Sequence, residues 1–84
     1  MSQSISLTQG QFALVDDADF ALLSQWRWRF NSKGYAMRSY VSVDKTFVVA
    51  MHREIMQPPP DLVVDHIDHD KLNNTRANLR AITQ

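Results

Sequence analysis

The chain has 84 residues, no cysteine and equal numbers of acidic and basic side chains, so its formal net charge is zero. This length suits one domain, the lack of cysteine excludes disulfides and thiolate zinc sites, and no apolar run is long enough for a membrane span or a secretory signal. Because nucleic-acid binders usually carry excess positive charge, any such affinity must come from local clusters of arginine.

The first predicted elements are a strand and a short helix. In QFALVDD, apolar residues occupy both faces of a strand. DDADFALLSQ follows as a helix whose N-terminus Asp16 or Asp17 can cap. Phe20 and Leu23 are three residues apart and would share the buried face of this helix.

An antiparallel meander is predicted next, so that an antiparallel sheet extends from Phe12 to Met51. In QWRWRF, aromatic residues alternate with arginines, which indicates a half-buried strand. The side chains expected to face its core are Trp26, Trp28 and Phe30. NSKG is a turn, and GYAMRSYVSV and TFVVAM are the next strands. If the polar faces of these strands coincide, Arg27, Arg29 and Arg38 lie on one surface.

The C-terminal part begins with the helical turn HREIM, which ends at QPPP because Pro58 disfavours a helical conformation of Gln57. DLVVDHID is a further strand, HDKLNN is a loop, and Thr75 can cap a helical turn through RANL. LRAIT either ends that turn or begins a strand. We therefore predict one α+β domain, with an antiparallel sheet region at 1–57 and a core motif at 61–84.

One short stretch, VVDHIDHD, is dense in titratable groups. They are Asp65, His66, Asp68, His69 and Asp70. A surface loop explains them as ordinary turn residues. A calcium loop would start at Asp68, but its pattern breaks after Asp70. A zinc site would use His66 and His69, with His52 or a carboxylate as a further ligand.

A fourth interpretation is a hard divalent cation on a carboxylate, beside a neutral histidine that acts as a base. Such a pair suits phosphodiester hydrolysis, because the histidine takes a proton from water and the cation stabilises the phosphate and the leaving 3′ oxygen. An asparagine carbonyl can orient the histidine. Asp65 and His66 are adjacent, so both serve one site only if the strand ends or bends there.

The segment MHREIMQPPPDLVVDHIDHDKLNNTRANLRAIT resembles the HNH endonucleases of phage and homing type. Their pattern is roughly His-Arg, then Asp-His-Ile-(Asn/Asp), then Asn-Arg-x-x-Asn-Leu-Arg. VDHID, with NLR twelve residues after the histidine, is the specific part of this resemblance. The upstream LTQGQFALVDDADFALLSQWRWRF and GYAMRSY resemble the leader of phage members, so the resemblance covers nearly the whole chain.

The resemblance implies a ββα-metal motif, Mg²⁺ or Mn²⁺ as the cofactor and double-stranded DNA as the partner. By position, Asp65 matches the metal ligand and His66 the general base, while Asn78 matches the asparagine that orients the base and braces the loop. His52 and Asn74 would support the site structurally. Six arginines are candidate contacts to nucleic acid: Arg27, Arg29, Arg38, Arg53, Arg76 and Arg80.

Two departures from the family pattern matter. Thr75 stands where many members have arginine, which removes one phosphate contact. In the family, a helix with a second metal ligand follows the Asn-Leu-Arg strand, whereas this sequence stops at Gln84, so we expect an incomplete ββα motif.

Two hypotheses about function follow from these features. One is a metal-dependent DNA endonuclease, truncated or weakly active as it stands. The other is a non-catalytic module derived from this family, which binds nucleic acid or a protein partner. The lack of cysteine fits a cytoplasmic protein, encoded by a phage or found in its bacterial host.

Overall fold

The structure is a computed structural model that describes residues 2–83. Within this range the strands are β1 (Ser2–Ser6), β2 (Phe12–Asp16), β3 (Arg29–Phe30), β4 (Ala36–Ser42), β5 (Lys45–Ala50), β6 (Leu62–His66) and β7 (Leu79–Thr83). The helices are α1 (Asp17–Leu23), between β2 and β3, and α2 (Met51–Met56), between β5 and β6. A 3₁₀ turn at Arg76–Asn78 precedes β7. The predicted α+β class is confirmed.

The strands of residues 2–83 form three antiparallel sheets, with strand orders β1-β2, β3-β4-β5 and β6-β7. The prediction of one sheet from Phe12 to Met51 is therefore wrong, because Phe12 begins β2, which pairs with β1. The sequence does not predict β1, since SQSIS carries one apolar residue, Ile5. That side chain is nevertheless buried, at 6% exposure.

The hydrophobic core joins the first hairpin to both helices and to β7. Its buried members are Ile5, Leu7, Ala13, Val15, Leu23, Trp28, Ala36, Met51, Ile55 and Leu79. In β2, Ala13 and Val15 point inward, whereas Phe12 and Leu14 on the other face are exposed. The two-residue period of a strand therefore decides which face of this apolar segment is buried.

The alternation in WRWRF predicts the faces correctly but overestimates the strand. Trp28 is 4% exposed, whereas Arg27 and Arg29 are both exposed. Only Arg29–Phe30 pairs as β3. Trp28 is positioned instead by its indole N–H, which donates to the carbonyl oxygen of Leu23 at 2.8 Å.

The arginines of the meander do not share one surface, which contradicts the expectation from the sequence. Arg29 lies opposite Met37 in the β3–β4 register, so its side chain is on the face opposite to that of Arg38. The Arg38 guanidinium lies 3.8 Å from the ring centroid of Trp26 and pairs with Glu54 at 2.8 Å. Arg38 therefore packs α2 against β4, and its side chain is largely buried, at 13% exposure.

The hairpin of β6 and β7 follows α2, which ends at Gln57 in a left-handed conformation. The loop of this hairpin is attached to the first sheet by a parallel bridge between Leu14 and Asn73. The Leu14 N–H donates to the Leu72 carbonyl at 2.8 Å, and the Asn74 N–H donates to the Leu14 carbonyl at 2.7 Å. No helix within residues 2–83 is long and apolar enough to cross a membrane.

Candidate functional site

His66 lies at the end of β6 and is 5% exposed. Its Nε2 is 2.7 Å from Oδ1 of Asn74, a residue with no exposed surface. Because an amide oxygen only accepts hydrogen bonds, this pairing places the proton of a neutral histidine on Nε2. The other ring nitrogen, Nδ1, is then unprotonated and able to accept a proton.

The structure corrects one part of the predicted role of Asn78, which makes no hydrogen bond to His66 among residues 2–83 and so does not orient the base. The hydrogen bonds of its side chain agree with the other part of the prediction, bracing of the loop after β6. Its Oδ1 accepts from the backbone N–H of Asp68 at 3.0 Å, and its Nδ2 donates to Asp68 Oδ1 at 2.8 Å and to the Asn73 carbonyl at 2.9 Å. Asn74, expected to be a structural support only, is the residue that orients the histidine.

The carboxylate of Asp68 accepts several hydrogen bonds within this loop. Hydrogen bonds from the side chain of Asn73 and the backbone N–H of Asp70 lower the pKa of its carboxyl group, with a further contribution from Asn78. The loop turns at His69, whose φ is 66°. The ionised carboxylate thus accepts hydrogen bonds from three residues of the loop.

A small cleft of about 160 Å³ opens beside this loop. It is lined by Tyr35, Val64, Asp65, His66, His69 and Lys71. Asp65 and His66 are neighbours in β6, yet both line the cleft, which lies where the strand ends at His66. The strand thus ends at the point where it must end or bend if Asp65 and His66 are to serve one site.

The sequence pattern does not predict two residues of the cleft, Tyr35 and Lys71. The Lys71 ammonium lies 4.8 Å from the ring centroid of Tyr35 and donates to the carbonyl of Lys33 at 2.8 Å. Tyr35 reaches the cleft through the NSKG turn, where Asn31 Oδ1 accepts from the Tyr35 N–H at 2.8 Å. Lys71 belongs to the motif loop and could have been inferred, but no sequence signal brings Tyr35 there.

The Asp65 carboxylate forms an ion pair with Arg80. Its Oδ2 accepts from Arg80 Nη2 at 2.8 Å and from Arg80 Nε at 3.1 Å across the β6–β7 hairpin. Carboxylate oxygens are ligands that Mg²⁺ and Mn²⁺ prefer. Among residues 2–83, however, no group of three His, Asp or Glu side chains could hold an ion. The donor chemistry fits a hard cation, but the described residues do not complete its coordination.

His52 packs behind the candidate base. Its ring centroid is 4.8 Å from that of His66 in an edge-on arrangement and 5.2 Å from that of Tyr35. Burial lowers the pKa of His52 to about 4, with smaller contributions from the charges of His66 and Arg53. His52 is therefore neutral at pH 7, which lets its ring pack against His66 without adding a charge.

The remaining arginines differ in how free they are. Arg76 makes two hydrogen bonds to Asp19, at 2.9 and 2.8 Å, and these bonds raise its pKa. Arg27, Arg29 and Arg53 are exposed. These three side chains can therefore make the predicted contacts to nucleic acid without first breaking an ion pair seen in the structure.

Comparison with known proteins gives two matches. Residues 57–84 match a family model described as HNH endonuclease. The chain is also 38% identical, over 81 aligned residues, to an uncharacterized HNH endonuclease, L560, of Acanthamoeba polyphaga mimivirus. That alignment covers 89% of this chain and 41% of the relative, so the chain spans less than half of the relative's length. No solved structure matches the chain.

Proposed function

Because the chain belongs to the HNH endonuclease family, we propose that it hydrolyses phosphodiester bonds of nucleic acid at the cleft beside His66. The observation that carries this proposal is the hydrogen bond of His66 Nε2 to Asn74. A buried asparagine that selects one tautomer of a histidine carries a cost that a surface loop would not require, since Asn74 Nδ2 has no hydrogen-bond partner among residues 2–83.

In the proposed reaction, His66 Nδ1 takes a proton from a water molecule in the cleft. The water oxygen forms a bond to phosphorus, and the bond from phosphorus to the 3′ oxygen breaks. The leaving oxygen then takes up a proton from solvent. The ammonium of Lys71 lines the same cleft, where it can reduce the negative charge that develops on the phosphate.

We propose a divalent ion, Mg²⁺ or Mn²⁺, as the cofactor. Such an ion, when bound, neutralises charge on the phosphate and on the leaving oxygen. Asp65 is the residue that would hold it, in competition with Arg80, whose hydrogen bonds its carboxylate accepts. With a single carboxylate, we expect weak binding of the ion by this chain in the absence of substrate.

The proposed substrate is double-stranded DNA. Exposed arginines suit bidentate contacts to phosphate, and Arg53 is available for such a contact to the duplex. Since the net charge is zero, such contacts would be local rather than produced by the field of the whole protein.

A second candidate function is a non-catalytic binding module. The observations that favour it are the pairing of Asp65 with Arg80 and the lack of a complete group of metal ligands among residues 2–83. In this case the cleft would keep its shape and bind nucleic acid or a protein without cleaving it.

Plasmid nicking with Mg²⁺ or Mn²⁺ separates the two candidates. We expect the parent to convert supercoiled plasmid to the nicked form, and His66→Ala, assayed below its own melting temperature, to be inactive. Lys45→Gln is the matched surface control, because Lys45 is exposed and lines no part of the cleft. A folded parent that fails to nick at every ion concentration would support the binding module instead.

A further inference from the structure

A second concavity, much larger than the cleft, lies between β1 and the segment before β3. Its volume is about 670 Å³, and it shares no lining residue with the cleft. We call it the tryptophan groove. The lining residues that matter here are Phe20, Trp26, Arg27, Trp28, Arg29 and Ser39.

The charged side chains that line the tryptophan groove are positive. Arg27 and Arg29 are the charged residues that line it, and no acidic side chain of residues 2–83 does so. Nη1 of Arg29 donates to the hydroxyl of Ser39 at 2.7 Å, which fixes the guanidinium at the rim. Ser4, Ser6, Thr8 and Ser24, which carry hydroxyl groups, also line the groove. In a chain of zero net charge, this is a local site for an anion.

The floor of the tryptophan groove is aromatic. Trp26 and Phe20 are half-buried, and Trp28 is 4% exposed beneath them. Trp26 and Trp28 meet edge to face with centroids 6.3 Å apart, and Arg38 covers the Trp26 ring from 3.8 Å. These contacts fix Trp26 in place, so the floor is a preformed surface for a flat apolar group.

A cationic rim over an aromatic floor matches the two parts of a nucleotide. The phosphate is an anion that arginine binds in a bidentate manner, and the base has flat faces that stack on aromatic rings. In a duplex the faces of the bases are covered by their neighbours, so only unpaired bases can reach such a floor. These observations favour a single strand over a duplex, and they favour a nucleic acid over an acidic peptide, which brings no base.

We propose that the tryptophan groove binds a short single-stranded segment of nucleic acid, with phosphates at Arg27 and Arg29 and a base on the aromatic floor. This site goes beyond the proposed cleavage reaction, because it requires neither His66 nor a metal ion.

Tryptophan fluorescence tests the proposal directly, since both tryptophans of the chain line the groove. The probe is an oligothymidylate of about eight nucleotides, a length within the site sizes of single-strand binders. It is titrated into the parent and into His66→Ala, without divalent ion. We expect equal quenching in both proteins, so that a failure of the cleavage proposal leaves this result unchanged.

The arginines are tested by the double variant Arg27→Gln/Arg29→Gln, with Lys45→Gln as the control. Each phosphate contact on a single strand contributes about 0.7 to the slope of log K against log salt, so the double variant should lower that slope by about 1.4. Lys45 is exposed and lies outside the groove, so Lys45→Gln should bind like the parent. Circular dichroism confirms that all three proteins are folded.

Two comparison ligands complete the experiment: a duplex that contains the same oligothymidylate, and polyglutamate. Weaker quenching by both supports the proposal. Equal or stronger quenching by the duplex, equal binding of polyglutamate, or an unchanged salt slope in the double variant overturns it. An absence of any quenching by the oligothymidylate overturns it as well.

Discussion

Oδ1 of Asn74 lies 2.7 Å from Nε2 of His66, and this contact determines which nitrogen of the histidine is free to act as a base. The asparagine is fully buried, and its own Nδ2 has no hydrogen-bond partner within the described range, 2–83. The amide orientation thus satisfies the histidine at the expense of one buried donor, an arrangement that is rare in native proteins.

Removal of this contact should impair both stability and chemistry. We expect Asn74→Ala to lower the free energy of unfolding by about 1–3 kcal/mol, because His66 Nε2 loses its buried partner. Cleavage should fall even below the melting temperature of the variant, since either tautomer of the ring becomes accessible. Asn74→Asp keeps an acceptor at the same place and should retain more activity. Nicking rates and ¹⁵N shifts of the imidazole measure these effects, and a parental tautomer in Asn74→Ala would refute the assignment.

Removal of the base should be destabilising as well as inactivating. His66 is 5% exposed and packs on His52, so His66→Ala should lower the melting temperature, whereas a base exposed to water would contribute little. His69→Asn is the control, because His69 lines the same cleft but is exposed, and asparagine tolerates its positive φ of 66°. Thermal melts followed by circular dichroism compare the two, and equal melting temperatures would show that the packing of His66 is unimportant.

The ion pair of Asp65 with Arg80 should compete with a divalent cation. Its side chains are 34% and 56% exposed, so Arg80→Gln should change stability by no more than about 1 kcal/mol. Both carboxylate oxygens would then be free, and we expect tighter binding of Mn²⁺, measured by electron paramagnetic resonance. Asp65→Asn should abolish this binding. Weaker Mn²⁺ binding by Arg80→Gln would mean that the arginine helps to form the site.

Buried His52 should make stability depend on pH. Its pKa is lowered to about 4 in the folded chain from 6.5, so the unfolded chain binds more protons between these values. This contribution to stability is complete above pH 6.5 and is lost as the pH falls toward 4, by at most about 1.4 kcal/mol per pH unit. Urea melts between pH 5 and 7 should show this slope, and His52→Gln should flatten it. A parental slope in His52→Gln would assign it to other groups.

The two tryptophans should differ in their contribution to the fold. Trp28 is 4% exposed and donates a hydrogen bond to Leu23, so Trp28→Ala should cost about 3–5 kcal/mol and leave little folded protein. Trp26 is half-buried, and Trp26→Ala should be milder. Soluble yield and urea melts compare them. Similar melts for Trp28→Ala and the parent would mean that the buried face is misassigned.

Local patterns in the sequence predict the elements but not their partners. The period of two in WRWRF identifies the buried Trp28, because side-chain direction in an extended segment depends only on the local backbone. Register is different: Arg29 and Arg38 lie on opposite faces because of a pairing that no single strand encodes. The polar strand β1 is missed for a related reason, since its stability comes from pairing with β2.

At the site, too, the sequence predicts the residues but not all of their contacts. The motif identifies Asp65 and His66, and both line the cleft. It does not identify which of two asparagines, four positions apart, contacts His66. That choice depends on where the loop backbone lies, and the loop is placed by hydrogen bonds to Leu14, which is distant in sequence.

The bridge between Leu14 and Asn73 has a consequence for protein engineering. The segment that matches the family, 57–84, contains both His66 and Asn74. The backbone N–H of Asn74, however, donates to the carbonyl of Leu14 in the first hairpin. Arg76 is likewise anchored by Asp19 of α1. The segment 57–84 therefore depends on contacts with the rest of the chain for its conformation. Grafted onto another scaffold, it would transfer its reactive groups without their alignment, unless the first hairpin were transplanted with it.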